Sequence, residues 1–223
     1  MPAIRLLRPV ALAATVLAGL GASPPAPATP VYPGAGAVLP GTSLSADPTL
    51  AGTVVADATS AWVSPVDPKY GFPGAQGTLE SRVVRESGSG TLDFYWRISV
   101  DAVSYPDDVP KGLVISGLKL SSFQTGAGFD ANWRSDGPGE VIPISAYAGT
   151  DWLLWDFIPD PLGPGQSTYF MLLHSNATTF DSAATAGLGA TDVATFAPLP
   201  EPAGAALAAA GLALLALRRR RAR

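Results

Sequence analysis

Few residues in this chain are of a type that drives chemistry. His174 is the only histidine, and there is no cysteine. Serines and aspartates are plentiful, so a Ser-His-Asp arrangement is formally open, but no Gly-x-Ser-x-Gly elbow is present to expose a nucleophile. His174 closes the apolar stretch "QSTYFMLLHS", where a hydrogen-bonded structural histidine is the plainer reading. A single histidine without cysteine also disfavours zinc or copper, which draw on several nitrogen and sulfur ligands. The expectation is no metal, no cofactor and no enzyme.

Carboxylates are the remaining candidates. Asp107 and Asp108 are adjacent in "YPDDVP", and Asp151 and Asp156 bracket "WLLW". Two such acids about 5–10 Å apart could hydrolyse a glycosidic bond. Acids in turns are more often solvated, with ordinary pKa values. "FDANWRSDGPGE" offers Asp130, Asn132, Asp136 and Glu140 as oxygen ligands for calcium, but at offsets that are not those of an EF-hand. Trp133, next to Arg134 in this Gly- and Asp-rich stretch, is a possible ligand contact, since an exposed loop tryptophan can stack a sugar ring. The competing reading is a tryptophan capping the edge of the core.

These residues must be positioned by strands. In "GTLDFYWRISV", Leu92, Phe94, Trp96, Ile98 and Val100 alternate with Asp93, Tyr95, Arg97, Ser99 and Asp101. Period two with one apolar set predicts a strand with one buried face. "GTLESRVVRES" precedes it, and "SGSG" between them is a hairpin turn. "GLVISGLKLSS" reads as a strand broken at Gly117, and "DWLLWDFI" as a strand buried on both faces or at a sheet centre. "QSTYFMLLHS" and "TDVATFAP" close the domain; "GTVVADA" and "SAWVS" open it. No stretch of the body keeps a 3.6-residue apolar period. The expected fold is all-β: one antiparallel β-sandwich, jelly-roll or Ig-like, over 46–198. Without disulfides it relies on its core, for which roughly 150 residues suffice.

Charge and the two ends say where the chain goes. Between Val31 and Pro200 the bases are only Lys69, Arg82, Arg85, Arg97, Lys111, Lys119 and Arg134, and acids clearly outnumber them. That acidic body argues against a nucleic-acid partner, which needs a basic footprint. Arg5 and Arg8, the apolar run Val10 to Leu20 and the small residues after it read as a secretory signal peptide over 1–28, too short to span a bilayer. Cleavage is expected after Ala22 or at Ala26–Ala28. Residues 29–45, rich in Pro, Ala and Gly, read as a flexible lead.

At the other end, 199–223 holds Pro200, Glu201 and Pro202, an uncharged run from Ala203 to Leu217, and then Arg218, Arg219, Arg220, Arg221 and Arg223. As a transmembrane helix, 203–217 would be about 22 Å long against a hydrocarbon core of about 30 Å. Thinning and arginine snorkelling make up the difference, and the arginines stay cytoplasmic. Box, apolar helix and basic tail, in that order, resemble the PEP-CTERM sorting signal of Gram-negative bacteria. The resemblance implies processing by an exosortase, a membrane transpeptidase-like enzyme, and a link to exopolysaccharide and biofilm export. The plain alternative is a tail anchor with a chance Pro-Glu-Pro. "GTLESRVVRESGSGTLDFYWRI" and "GPGQSTYFMLLHSNATTF" resemble the central domain of many PEP-CTERM proteins, a family that brings no activity with it. The expected protein is therefore exported and non-catalytic, anchored in the inner membrane before processing and at the cell surface or in the extracellular matrix afterwards. The alternatives are a secreted carbohydrate-binding module or a carboxylate-dependent polysaccharide hydrolase.

Overall fold

The computed structural model describes residues 29–65, 74–101, 115–122 and 129–199. The expected signal peptide, the Pro200-Glu201-Pro202 box, the 203–217 helix, the arginine tail, Asp107 and Asp108 all lie outside the described residues. Among the described residues the fold is all-β. Its strands are β1 (Thr29–Val31), β2 (Gly36–Val38), β3 (Gly52–Ser64), β4 (Ala75–Glu86), β5 (Leu92–Val100), β6 (Gly117–Ser121), β7 (Phe129–Trp133), β8 (Ser145–Ala148), β9 (Trp152–Asp156), β10 (Met171–His174), β11 (Phe180–Leu188) and β12 (Thr191–Pro198). The one helical element among them is a 3-10 turn, Pro48–Leu50, and no helix there is long and apolar enough to cross a membrane.

Two six-stranded antiparallel sheets result, with orders β1-β7-β10-β5-β4-β3 and β12-β11-β6-β9-β8-β2. They share one apolar core. The β4–β5 hairpin forms as its alternation predicts, pairing Gly77 with Val100 through to Arg85 with Leu92. Its turn needs Gly90, whose φ of 76° is left-handed. Leu79, Val83, Phe94, Trp96 and Ile98 point inward and are fully buried. Trp96 meets Trp155 of the facing sheet with ring centroids 5.3 Å apart. Burying each of these large side chains contributes about 1.5–3 kcal/mol.

A polar link crosses the middle of this core. Trp96 Nε1 donates to Thr195 Oγ1 at 2.7 Å, and Ser81 Oγ lies 2.8 Å from the same oxygen. Trp96 and Ser81 belong to the first sheet, and Thr195 to the second.

Several expectations change in the folded chain. The 29–45 segment is not a free lead: β1 pairs with β7, β2 pairs with β8, and Val31 and Leu39 enter the core. Strands this short leave no readable alternation, but they satisfy the outer edges of β7 and β8. "GTVVADA" and "SAWVS" form one long edge strand, β3, rather than two. β9 lies mid-sheet between β6 and β8, but only Leu153 and Trp155 are fully buried, with Trp152 and Leu154 half-covered. Gly117 is a close-approach site, since a Cβ there would stand 2.6 Å from the Trp155 carbonyl oxygen. On β5 the polar set is covered as well: Asp93 and Tyr95 are buried. A strap over residues 41–51 crosses the outer face of the first sheet and removes them from water.

Candidate functional site

The strap is fastened by its backbone. The Gly41 N–H donates to Asn132 Oδ1 at 2.8 Å, that of Thr42 to the Trp133 carbonyl at 2.9 Å, and that of Leu44 to Asp136 Oδ2 at 2.8 Å. Asp47 then caps the 3-10 turn, its Oδ1 accepting from the Thr49 N–H. The turn sets Leu50 on Val84, Tyr95 and Leu172, a small apolar cluster apart from the main core.

Beside that cluster four charged side chains converge. Antiparallel register places His174 of β10 opposite Asp93 of β5 and opposite Asp130 of β7. His174 Nδ1 lies 2.9 Å from Asp93 Oδ1 and 3.4 Å from Glu86 Oε1. His174 Nε2 faces Asp47 Oδ2 at 3.7 Å. The Glu86 carboxylate is itself oriented by Ser89, whose hydroxyl donates to Oε2. Asp93 Oδ2 is buried and meets no hydrogen-bond donor.

Burial dominates the electrostatics of Asp93 and pushes its pKa up to about 6, although the hydrogen bond and charge of His174 pull it down. Glu86 raises it further, being near enough to share a proton. Burial also works against a charged His174, but the carboxylates of Asp93, Asp47 and Glu86 outweigh it, and the ring is held protonated above its usual range. Asp130 is raised by burial. The arrangement is a half-buried imidazole set among carboxylates, an environment that favours a proton or another cation.

An open groove of about 290 Å³ lies further along the same face, lined by Gly52, Val54, Arg82, Tyr95, Arg134 and Phe170 among others. Both of its cations are engaged: Arg82 with Asp57, and Arg134 with Asp136.

Apart from His174 and Asp130, the residues singled out in the sequence fall elsewhere. Trp133 is the last residue of β7 and not a loop residue. It is half-buried against the core, with its ring 5.2 Å from that of Tyr169 and its indole N–H on the Leu39 carbonyl. Gly41 lies so close above the ring that a Cβ there would come within 2.4 Å of it. The calcium candidates do not gather: Asn132 Oδ1 is taken by Gly41, and the Asp136 oxygens by Arg134 and Leu44. Asp151 immediately precedes β9 and Asp156 ends it, so their backbones stand about 16 Å apart at strand rise. His174 is hydrogen-bonded at a strand end, as its position suggests. Sequence reading missed its partners, because Asp47, Glu86 and Asp93 come from other segments that only the β10–β5 pairing and the strap bring together.

Searches of family models, of curated proteins and of solved structures find no match to the chain.

Proposed function

We propose that the chain is an exported, non-catalytic surface or matrix protein, a jelly-roll or Ig-like sandwich delivered by a signal peptide and a PEP-CTERM signal. The observation that carries this reading is the C-terminal sequence: Pro200-Glu201-Pro202, fifteen uncharged residues, then the arginine cluster. Such a tail suits an exosortase-type enzyme and an inner-membrane anchor that is removed near the box, leaving the domain outside among secreted polysaccharide. The body supports the same reading. Its core is filled with side chains, and Asp151 and Asp156 stand too far apart for a glycosidase pair, which needs about 5–10 Å.

The test is intact mass and fractionation of the mature protein in its own host. Wild type should lose a C-terminal fragment near the box and leave the inner membrane. Glu201→Ala should keep the fragment and stay membrane-bound with its fold unchanged. Identical processing of the variant would leave a plain tail anchor as the better account.

A further inference from the structure

We propose that Glu86, Asp93 and His174 form a binding site for one divalent transition-metal ion of the zinc type, with Asp47 and Ser89 as outer partners. The proposal stands apart from the sorting of the chain, and rests on three observations.

The first is spacing. Zinc binds imidazole nitrogen and carboxylate oxygen at about 2.0–2.2 Å. At tetrahedral or octahedral angles, two such donor atoms stand about 3.0–3.5 Å apart. His174 Nδ1 is 2.9 Å from Asp93 Oδ1 and 3.4 Å from Glu86 Oε1. The three donor atoms all lie within 4.8 Å of one another, so small side-chain adjustments place one ion in reach of all three.

The second is the buried oxygen. Asp93 is fully buried, and its Oδ2 has no hydrogen-bond partner. A buried acceptor without a donor costs about 1–3 kcal/mol, more when charged. An ion held by both oxygens of Asp93 would remove that cost, and its charge would offset the repulsion between the Asp93 and Glu86 carboxylates.

The third is the outer shell. A metal-bound imidazole usually donates its remaining N–H to a carboxylate, which fixes its tautomer. With the ion on Nδ1, the proton stays on Nε2, and Asp47 Oδ2 faces that nitrogen. Ser89 holds the second oxygen of Glu86 and leaves Oε1 turned inward. Binding releases the Nδ1 proton to solvent, so the ring enters the complex neutral. One nitrogen and two carboxylates suit zinc, manganese or cobalt, whereas calcium takes oxygen donors alone. The side chains of His174, Glu86 and Asp47 each keep a little exposure, which gives the ion its path.

The test uses the full-length chain in detergent, stripped with chelator and carrying no histidine tag. Titration with zinc chloride by calorimetry should show one ion per chain with micromolar or tighter affinity. Glu86→Gln should weaken it by at least about 100-fold, and Asp47→Asn by about 10–100-fold, the range for an outer partner. Circular dichroism establishes that the variants are folded. Because His174 is the only histidine, the imidazole C–H NMR signals of the wild type belong to it alone, and cobalt should shift them strongly at one equivalent. That second reading needs no variant. An absence of zinc binding at millimolar concentration, or binding that leaves the imidazole signals unmoved, overturns the proposal.

Discussion

Replacing Thr195 by valine removes one oxygen and keeps the outline of the side chain. That oxygen accepts from Trp96 Nε1 and pairs with Ser81 Oγ, and Thr195 and Ser81 are each only 3% exposed. The variant sets a methyl group against both partners in a region closed to water. A buried polar group stripped of its partner costs about 1–3 kcal/mol. The serine hydroxyl can rotate toward a neighbouring carbonyl and recover part of that loss, whereas the indole is fixed by its packing. The expected destabilisation is therefore about 2–4 kcal/mol. Urea denaturation followed by tryptophan fluorescence measures it, with an unchanged m-value as the sign that both end states are intact. Adding Ser81→Ala to Thr195→Val should then cost less than Ser81→Ala alone, because the partner has already gone. A Thr195→Val change within about 0.5 kcal/mol of wild type would refute the account of the link as a pin between the sheets.

Two further outcomes follow from the same core and from the strap. Phe94 is fully buried and stacks on Trp96, so Phe94→Ala should cost about 3–5 kcal/mol in the same denaturation assay. The Arg134 hydrogen bond, together with the Leu44 N–H, holds the Asp136 carboxyl below the usual carboxylate range. A carboxyl depressed on folding stabilises above its unfolded pKa and loses that contribution as pH falls through its folded pKa. Asp136→Asn should thus destabilise by less than about 1 kcal/mol at pH 7, a partly exposed pair being worth little, and the difference should shrink as pH falls below the usual carboxylate range. A difference that persists at low pH would assign the effect to something other than charge.

What could be read in advance depended on how much pattern each segment carries. The β4–β5 hairpin was legible because its strands are long enough for alternation to repeat and its turn contains Gly88 and Gly90. β1 and β2 have three residues each and include Pro30 and Gly36, so no period can show. β7 was hidden by Asp130 and Asn132, polar residues on one face, of which Asn132 is fully buried and bonded to the strap. "FDSAATAGL" of β11 is nearly all small side chains, which carry little hydropathy contrast. Period two assigns Asp93 and Tyr95 to the polar face of β5, but says nothing of what will lie over that face. The His174 cluster was invisible for the same reason. Its members are distant in sequence, and the strap that delivers Asp47 is built of turns and backbone hydrogen bonds.

The placement of β12 has a mechanical consequence. It is an edge strand held on one side by β11, and its last residue, Pro198, pairs with Phe180 at the open end of that hairpin. Tension on the domain from its C-terminal side enters there, through Leu199, whose N–H is bound to the Thr179 carbonyl. A hairpin pulled from its open end parts one bond at a time, not all at once. Peeling therefore begins over Pro198, Ala197 and Phe196, whose ring must part from that of Phe180. It then meets Thr195, the first polar side chain that ties the strand to the other sheet. A tethered copy would yield a few residues under load like a short spring, and then stop.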